Sequence, residues 1–483
     1  MDAADLKSFM PEFHKYLGRF ADCFSDRRSR DHLPVYLRGQ LSDLDRKSVE
    51  PMALAAGVAP RTLQEFLSSL AWDHAKLRDR VQQIVASEHL DAVTVGLIDE
   101  TSTEKKGTKT PGVQRQWCGH LGKVENCVVT VHLGIACGDF QCLLDGDLFL
   151  PESWNEDRDR CRAAGIPDEI VYRPKWQIAL EQYDRVVAQG LRFDWLTFDE
   201  GYGSKPEFLR GLSARKQSWV AEVPKSVCGW LKPPRVTERP YRTNPKGRPR
   251  SKRRLVSGQP KARRLDELLK HHPQLRDQPW KQYRIDDREK GPSVWEVKHV
   301  RLHPTDENGL PGEAIHLLVA RHVLQGEAVK YFLSNAPEST PTATLLWVAL
   351  TRHRVERCFQ DQKSELGMDH YEGRTYTGLM RHLYLTLVSY LFAMRAVLAR
   401  RGEKSGVDSA AGSPGGGDAN RRETPVRGRA PKRAGGSGEA CAVPSATQPA
   451  GTRIPRQNDP TPIEGTGHPP HRNTPLPTAD LAL

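Results

Sequence analysis

The chain has 483 residues, room for roughly two to four domains and the core of an enzyme, and its 72 Lys and Arg against 60 Asp and Glu leave a formal charge of +12, which favours an anionic partner, nucleic acid first. Nine scattered cysteines with no Cys-x-x-Cys pair exclude a disulfide framework and a structural zinc site, and point to a reducing cytoplasm. The opening MDAADLKSFM is too acidic and mixed for a signal peptide, and the apolar run 383–399, broken by Thr386, Ser389 and Arg395, reads as a buried core helix rather than a membrane span.

Residues 1–88 read as helical. In ALAAGVAPRTLQEFL, Ala53, Gly57 and Leu63 have helix-turn-helix spacing, which would lay the second helix and Arg61 along DNA; the alternative is a plain helical hairpin with a glycine turn. From Asp91 the apolar period becomes two: Val93, Val95, Leu97 and Asp99 share one strand face. NCVVTVHLGIACG and QCLLDGDLFL predict two more strands, 173–189 a helix, and LRFDWLTFDEGYG a fourth strand ending in a glycine turn. Three strands, a helix and a strand is the order of a ribonuclease H-like sheet.

Residues 210–338 interrupt that order with a basic, mostly β insertion that includes the strand-like SVWEVKHVRL and AIHLLVARHV. Between Arg242 and Arg264 lie ten Lys or Arg and no acid. Within this run Lys246, Arg248, Arg250, Lys252, Arg253 and Arg254 surround a Gly-Arg-Pro-Arg core similar to an AT-hook, a candidate DNA contact; a solvated linker is the alternative. Ser339-Thr340-Pro341 predicts a hydroxyl-capped helix running to about Leu366 and stopped by Gly367, and a second apolar helix follows from about Thr377 to Arg400. Residues 403–483 contain no Phe, Trp or Tyr, and 24 of the 81 are Gly or Pro, so this tail is expected to be disordered.

Three carboxylates stand out. Asp99 closes an apolar strand face, where an aspartate is unfavourable unless solvated, paired or metal-bound. Asp199 closes the fourth strand, with Gly201 and Gly203 letting a backbone or a phosphate come near. Glu356 lies mid-helix on one stripe with Arg352 and Lys363. Taken singly, the first two read equally as turn residues and the third as part of a surface ion-pair helix. Together, on a first strand, a fourth strand and a late helix, they suit two-metal phosphoryl transfer, with Arg352 and Lys363 holding backbone phosphate.

At these residues the sequence resembles the DDE transposases of bacterial insertion sequences. Arg352, Glu356 and Lys363 match the Tyr-x2-Arg-x3-Glu-x6-Lys signature of the insertion-sequence 4 superfamily, with Ala349 in place of the tyrosine. IDETSTEKKGTKTPGVQRQWCGHLGKVENC, LPESW, KWQIAL, DEGYG and VERCFQDQKSELGMDHYEGR are similar to the insertion-sequence 701 family over residues 90 to 400. The resemblance implies a DNA transposase with Asp99, Asp199 and Glu356 binding two Mg²⁺ (Mn²⁺ as substitute), cutting insertion-sequence ends and joining the 3′-OH strands to target DNA as a homodimer in a synaptic complex. It implies a bacterial, cytoplasmic, nucleoid-associated protein with no membrane partner. The expected α/β architecture is a helical N-terminal DNA-binding domain (1–88), a ribonuclease H-like mixed sheet with flanking helices (89–209 and 339–402) split by the β insertion domain (210–338), and the tail (403–483). A nuclease that does not join strands, and an inactive transposase-derived DNA-binding protein, are the alternative functions.

Overall fold

The computed structural model describes residues 10–241, 251–288, 291–324 and 328–410. Lys246, Arg248, Arg250 and nearly all of the expected tail lie outside the described residues.

Five helices open the chain: α1 (Met10–Gly18), α2 (Arg27–Leu41), α3 (Val49–Ala55), α4 (Pro60–Ser68) and α5 (His74–Glu88). Asp26 and Asp73 cap α2 and α5, accepting the amides of Ser29 and Lys76. The α3–α4 turn has the expected form. Gly57 takes φ +68°, the Val58 amide returns to the Ala53 carbonyl at 3.0 Å, and Ala53 and Leu63 are fully buried.

A 12-stranded sheet follows. Its first part comprises β1 (Thr94–Glu104), β2 (Gln114–Cys118), β3 (Lys123–Cys137) and β4 (Phe140–Leu148), then short helices α6 (Glu152–Glu156) and α7 (Arg158–Ala163), and the long helix α8 (Lys175–Ala188). Next come β5 (Trp195–Phe198), the one-turn α9 (Glu200–Gly203), α10 (Pro206–Ala214) and β6 (Trp219–Val223). β3 runs antiparallel to β1 and β4, whereas β5 is parallel to β1 and β6 parallel to β5. The order β4-β3-β1-β5-β6 is consistent with the expected ribonuclease H-like sheet, with β2 added at its edge.

The β-rich middle extends this same sheet. β7 (Cys228–Trp230), β10 (Arg263–Arg264), β11 (Lys281–Arg288), β12 (Gly291–Pro304), β13 (Ile315–His322) and β14 (Val329–Ser334) join it through β14, antiparallel to β6. β8 (Val236–Thr237) and β9 (Arg254–Leu255) form a separate two-stranded ribbon whose connection holds the basic run; α11 (Leu265–His271) and α12 (Pro273–Arg276) follow it. The chain then returns to the sheet with α13 (Thr342–Thr351), α14 (His353–Ser364) and α15 (Tyr376–Ala410).

Four expectations need correction. Asp99 is not at a strand end: β1 continues to Glu104 because residues 99–104 remain paired with β3. The helix after Pro341 has no hydroxyl cap, since Pro341 itself precedes its first residue. That helix is also not continuous, and α13 and α14 part at Arg352. Thr351 Oγ1 donates to the Trp347 carbonyl at 2.8 Å and the Leu350 carbonyl bonds the His353 ring, which bends the chain. The last helix extends to Ala410, past the predicted Arg400, since adding residues to an existing helix needs no new nucleus. Gly367 does stop α14, at φ +68° with the Met368 amide on the Gln362 carbonyl.

By length and composition α15 could span a bilayer, but from Leu379 to Leu391 every side chain is buried in the protein. Its polar side chains are satisfied by the N-terminal helices. Tyr36 bonds His382 Nδ1 at 2.7 Å, and Gln40 bridges Thr386 and Ser389, each at 2.8 Å. Arg381 donates to the carbonyls of Phe66, Leu67 and Trp72 and stacks on the Trp72 ring. Arg381→Ala should remove the side-chain donor of the Leu67 and Trp72 carbonyls, leaving Phe66 its Trp72 indole N–H, and lower stability by about 2–4 kcal/mol in urea unfolding; a loss under about 0.5 kcal/mol, the range of an ordinary surface change, would show that this clamp is not needed.

Candidate active site

The site forms where β5 ends beside β1. Ile98 is in register with Phe198, so the next residues, Asp99 and Asp199, are neighbours on the face that α14 covers. Asp199 does not lie in a simple glycine turn. It caps α9, its Oδ1 accepting the Tyr202 amide at 3.3 Å. Gly203 serves a close approach of backbone, since a Cβ there would overlap the Glu222 carbonyl oxygen. α9, and Asp199 with it, is thereby held against β6.

Asp99 accepts the Glu100 amide on Oδ1 at 2.8 Å and the Arg352 guanidinium on Oδ2 at 3.0 Å. Its side chain is 13% exposed. Burial first, and the Asp199 charge second, push its pKa from 3.8 up to about 7, against the lowering effect of Arg352. Arg352 also reaches Glu356 Oε1 at 2.9 Å and Glu222 Oε2 at 3.9 Å. From the junction of α13 and α14, with its own backbone still helical at φ −50° and ψ −39°, Arg352 thus faces three carboxylates.

Glu356 is not mid-helix but in the first turn of α14, with its side chain 60% exposed. α14 is fixed to the sheet on both sides of it. Arg354 bonds Gln141 and the carbonyls of Gly138 and Phe140 at 2.7–2.9 Å. Phe359 packs edge-on against His132, which pairs with Asp99 across β1 and β3, and Lys363 donates to the Ser102 carbonyl at 2.8 Å. Burial lowers the pKa of Lys363 and brings that of His132 to about 3, so His132 is neutral.

Of the predicted site residues, Asp99, Asp199, Arg352 and Glu356 come together, and Lys363 lies two turns along α14. Arg61 is exposed on α4 and pairs with Glu65. Lys252 and Arg253 are exposed on the ribbon, while Arg254 stacks on Tyr241. Sequence reasoning missed Glu222, although an acid in the apolar β6 segment WVAEV was a visible signal. It also missed Tyr202, buried near Glu100, Asp99 and Asp199, whose phenol burial and these charges keep protonated. His132 carried no signal in the sequence beyond its place on a strand.

A family that uses divalent metal ions would need hard oxygen donors here. Among the described residues no three His, Cys, Asp or Glu form a ready metal cage. The buried Asp99 and its neighbour Asp199 nonetheless offer such donors, and Glu356 is tied to Asp99 through Arg352. This donor chemistry fits a divalent cation.

A mixed α/β sheet with paired aspartates where adjacent parallel strands meet is the framework of a carboxylate-dependent enzyme. A family model described as DDE superfamily endonuclease matches residues 19–292, more than half of the sequence, and the chain belongs to that family. The matched span holds Asp99 and Asp199 but stops before Arg352, Glu356 and Lys363. Over 225 residues the chain is also 30% identical to a protein described as "Probable transposase for insertion sequence element IS701" from Microchaete diplosiphon, an alignment covering 46% of this chain and 55% of that one. The chain thus spans about half the length of the curated relative it matches.

Because the folded-state pKa of Asp99 is raised, the folded protein gains from protonation. This contribution is full at low pH and is lost as pH rises from about 4 to about 7. In chelator, Asp99→Asn should remove that loss and stabilise the protein at pH 8 by on the order of 1–3 kcal/mol relative to wild type, with the difference shrinking as pH falls towards ~4. Parallel stability-versus-pH curves for the two proteins would show that Asp99 titrates normally.

Proposed function

We propose that the chain is a transposase of an IS701-like insertion sequence, with a ribonuclease H-like core that cuts phosphodiester bonds at the element's ends and joins the freed 3′-OH strands to target DNA. The observation that supports this most is that Asp99 and Asp199 each follow a residue of the in-register pair Ile98 and Phe198, with Arg352 linking Asp99 to Glu356. In this reading Asp99, Asp199 and Glu356 hold Mg²⁺, or Mn²⁺ in its place. Bound metal supplies Lewis-acid activation of the attacking oxygen and stabilisation of the leaving 3′ oxygen.

The chain's own groups do the rest. The Asp99–Asp199 pair holds negative charge in a place from which water is largely excluded, which strengthens every interaction with a cation. Glu222 and Glu356 hold Arg352 beside the pair, where its guanidinium can meet phosphate charge once a metal takes over Asp99. Lys363 secures α14 and keeps Glu356 in place. DNA is the substrate; α4 with Arg61, and the ribbon with Lys252 to Arg254, are proposed further contacts. Lys246, Arg248 and Arg250, outside the described residues, belong to the same proposed basic segment. Residues 1–88 and 210–338 are proposed as DNA-binding and insertion units, working in a homodimer that pairs two DNA ends in a bacterial cytoplasm.

Purified protein, a labelled terminal inverted repeat and a target plasmid test the proposal: joined products are expected, and cleavage without joining would make the protein a nuclease only. Asp99→Ala, Asp199→Ala and Glu356→Ala should each lower cleavage by at least about a hundredfold while DNA binding persists, since metal contacts rather than affinity are lost. A variant that cuts at the wild-type rate removes its residue from the site.

A further inference from the structure

Glu356 stands at one end of a cleft of about 1870 Å³. One wall is β1 from Glu100 onward with the loop to β2; the other is α14 and the segment 369–374. At the far end lie Trp117, His120, Lys106 and Lys109. Trp117 is 59% exposed on β2, the edge strand of the sheet, facing its partner Val124, itself half exposed. A large aromatic ring left in water on a cleft wall is not explained by folding, since it packs in neither core cluster.

The charges beside it have a pattern. Of the acids lining the cleft, Glu100, Glu125, Glu356 and Glu372 are ion-paired with Lys175, Lys123, Arg352 and Arg46, whereas Asp45 and Glu104 are exposed and pair with no cation among the described residues. Lys106, Lys109 and Arg374 are exposed and form no ion pair among the described residues. The lysine loop is held in place rather than loose: the Asn126 side chain donates to the carbonyls of Lys105 and Gly107, and the Lys105 amide bonds the Asn126 carbonyl at 2.9 Å. Asn126 lies on the strand face that Trp117 and Val124 share, two residues along β3. A fixed cationic loop is therefore set beside an exposed indole.

We propose that Trp117 is a stacking platform for an unpaired nucleobase, with Lys106 and Lys109 holding the backbone of that same strand, so that the cleft carries a single-stranded segment away from the Glu356 end. This rests on the proposed DNA-cutting function and adds to it a preference for unpaired DNA at one subsite. An aromatic face binds any base, and lysines bind any phosphate, so the subsite favours single strands without selecting sequence. A second protein chain pairing with the β2 edge is the competing occupant, but unpaired cations with an indole complement a polyanion carrying flat bases better than they complement another copy of this basic chain.

The test uses the full chain and a fluorescent oligothymidylate of about twelve nucleotides, beside a blunt duplex and the same oligonucleotide with abasic sites. Trp117→Ala should weaken single-strand binding about tenfold or more and duplex binding much less, Trp117→Phe should restore most of it, and abasic sites should weaken wild type but not Trp117→Ala. Lys106→Ala and Lys109→Ala should each flatten the plot of log affinity against log salt by roughly 0.7. If wild type cuts element ends and Trp117→Ala, with an unchanged melting temperature, binds the single strand as tightly as wild type, the platform is overturned and the enzyme reading stands. If wild type binds neither DNA form, both fail. A change of oligomeric state in Trp117→Ala, with single-strand affinity unaltered, would assign the patch to a protein interface instead.

Discussion

Two carboxylates side by side in a desolvated corner form the constraint around which this structure is arranged. Burial first, and the neighbouring Asp199 charge second, make the ionised form of Asp99 unfavourable, and its raised pKa reflects both. A fold under selection for stability alone would place an asparagine or an apolar residue there. Arg352 sets a cation against Asp99 at 3.0 Å. Its position depends on the break between α13 and α14, on Arg354 and Lys363 anchoring α14, and on Glu222 from β6.

The second organising element is α15. The buried stretch Leu379–Leu391 of α15 needs partners for its polar groups, and the N-terminal segment supplies several of them: Tyr36, Gln40 and the carbonyls of Phe66, Leu67 and Trp72. Residues from the two ends of the chain therefore share one core. On the far side α15 packs on β4, where Arg185 of α8 bonds the buried Asp145 at 2.9 Å. The α3–α4 hairpin is consequently mounted on the body of the protein rather than hung from a flexible linker, and what it touches is oriented with respect to the carboxylates.

Much of this was legible in the sequence, for identifiable reasons. The period-two runs gave the strands, because alternating burial leaves a local trace, and Gly57 and Gly367 marked turns because each adopts positive φ. Asp99 and Asp199 were visible as acids in apolar strand contexts. Glu222 had the same kind of signal but lay in a segment assigned to the insertion, so it was not weighed. The break at Arg352 was not legible: it arises from a threonine hydroxyl and a histidine ring competing for helix carbonyls, both of which are tolerated within ordinary helices. Nor could the sequence show that Lys363 turns inward to a strand carbonyl, since spacing places a side chain on a stripe without saying what faces it.

The role of Arg352 changes accordingly. Read from spacing alone, it is a surface cation waiting for phosphate. In the folded chain its charge is already committed to Asp99, Glu356 and Glu222; burial lowers its pKa, but these carboxylates outweigh burial and raise it, so it stays charged at every accessible pH. Such a group cannot leave the site by losing its proton; it can only exchange partners. In the proposed reading, a divalent cation held by Asp99 would offer that exchange: the carboxylate would give up its guanidinium for a stronger counter-charge, while Arg352 would keep Glu222 and could present a donor to phosphate. Metal binding and phosphate binding would then be coupled through one side chain, each making the other more favourable, and the carboxylates need never be left bare in the low-dielectric corner where they sit.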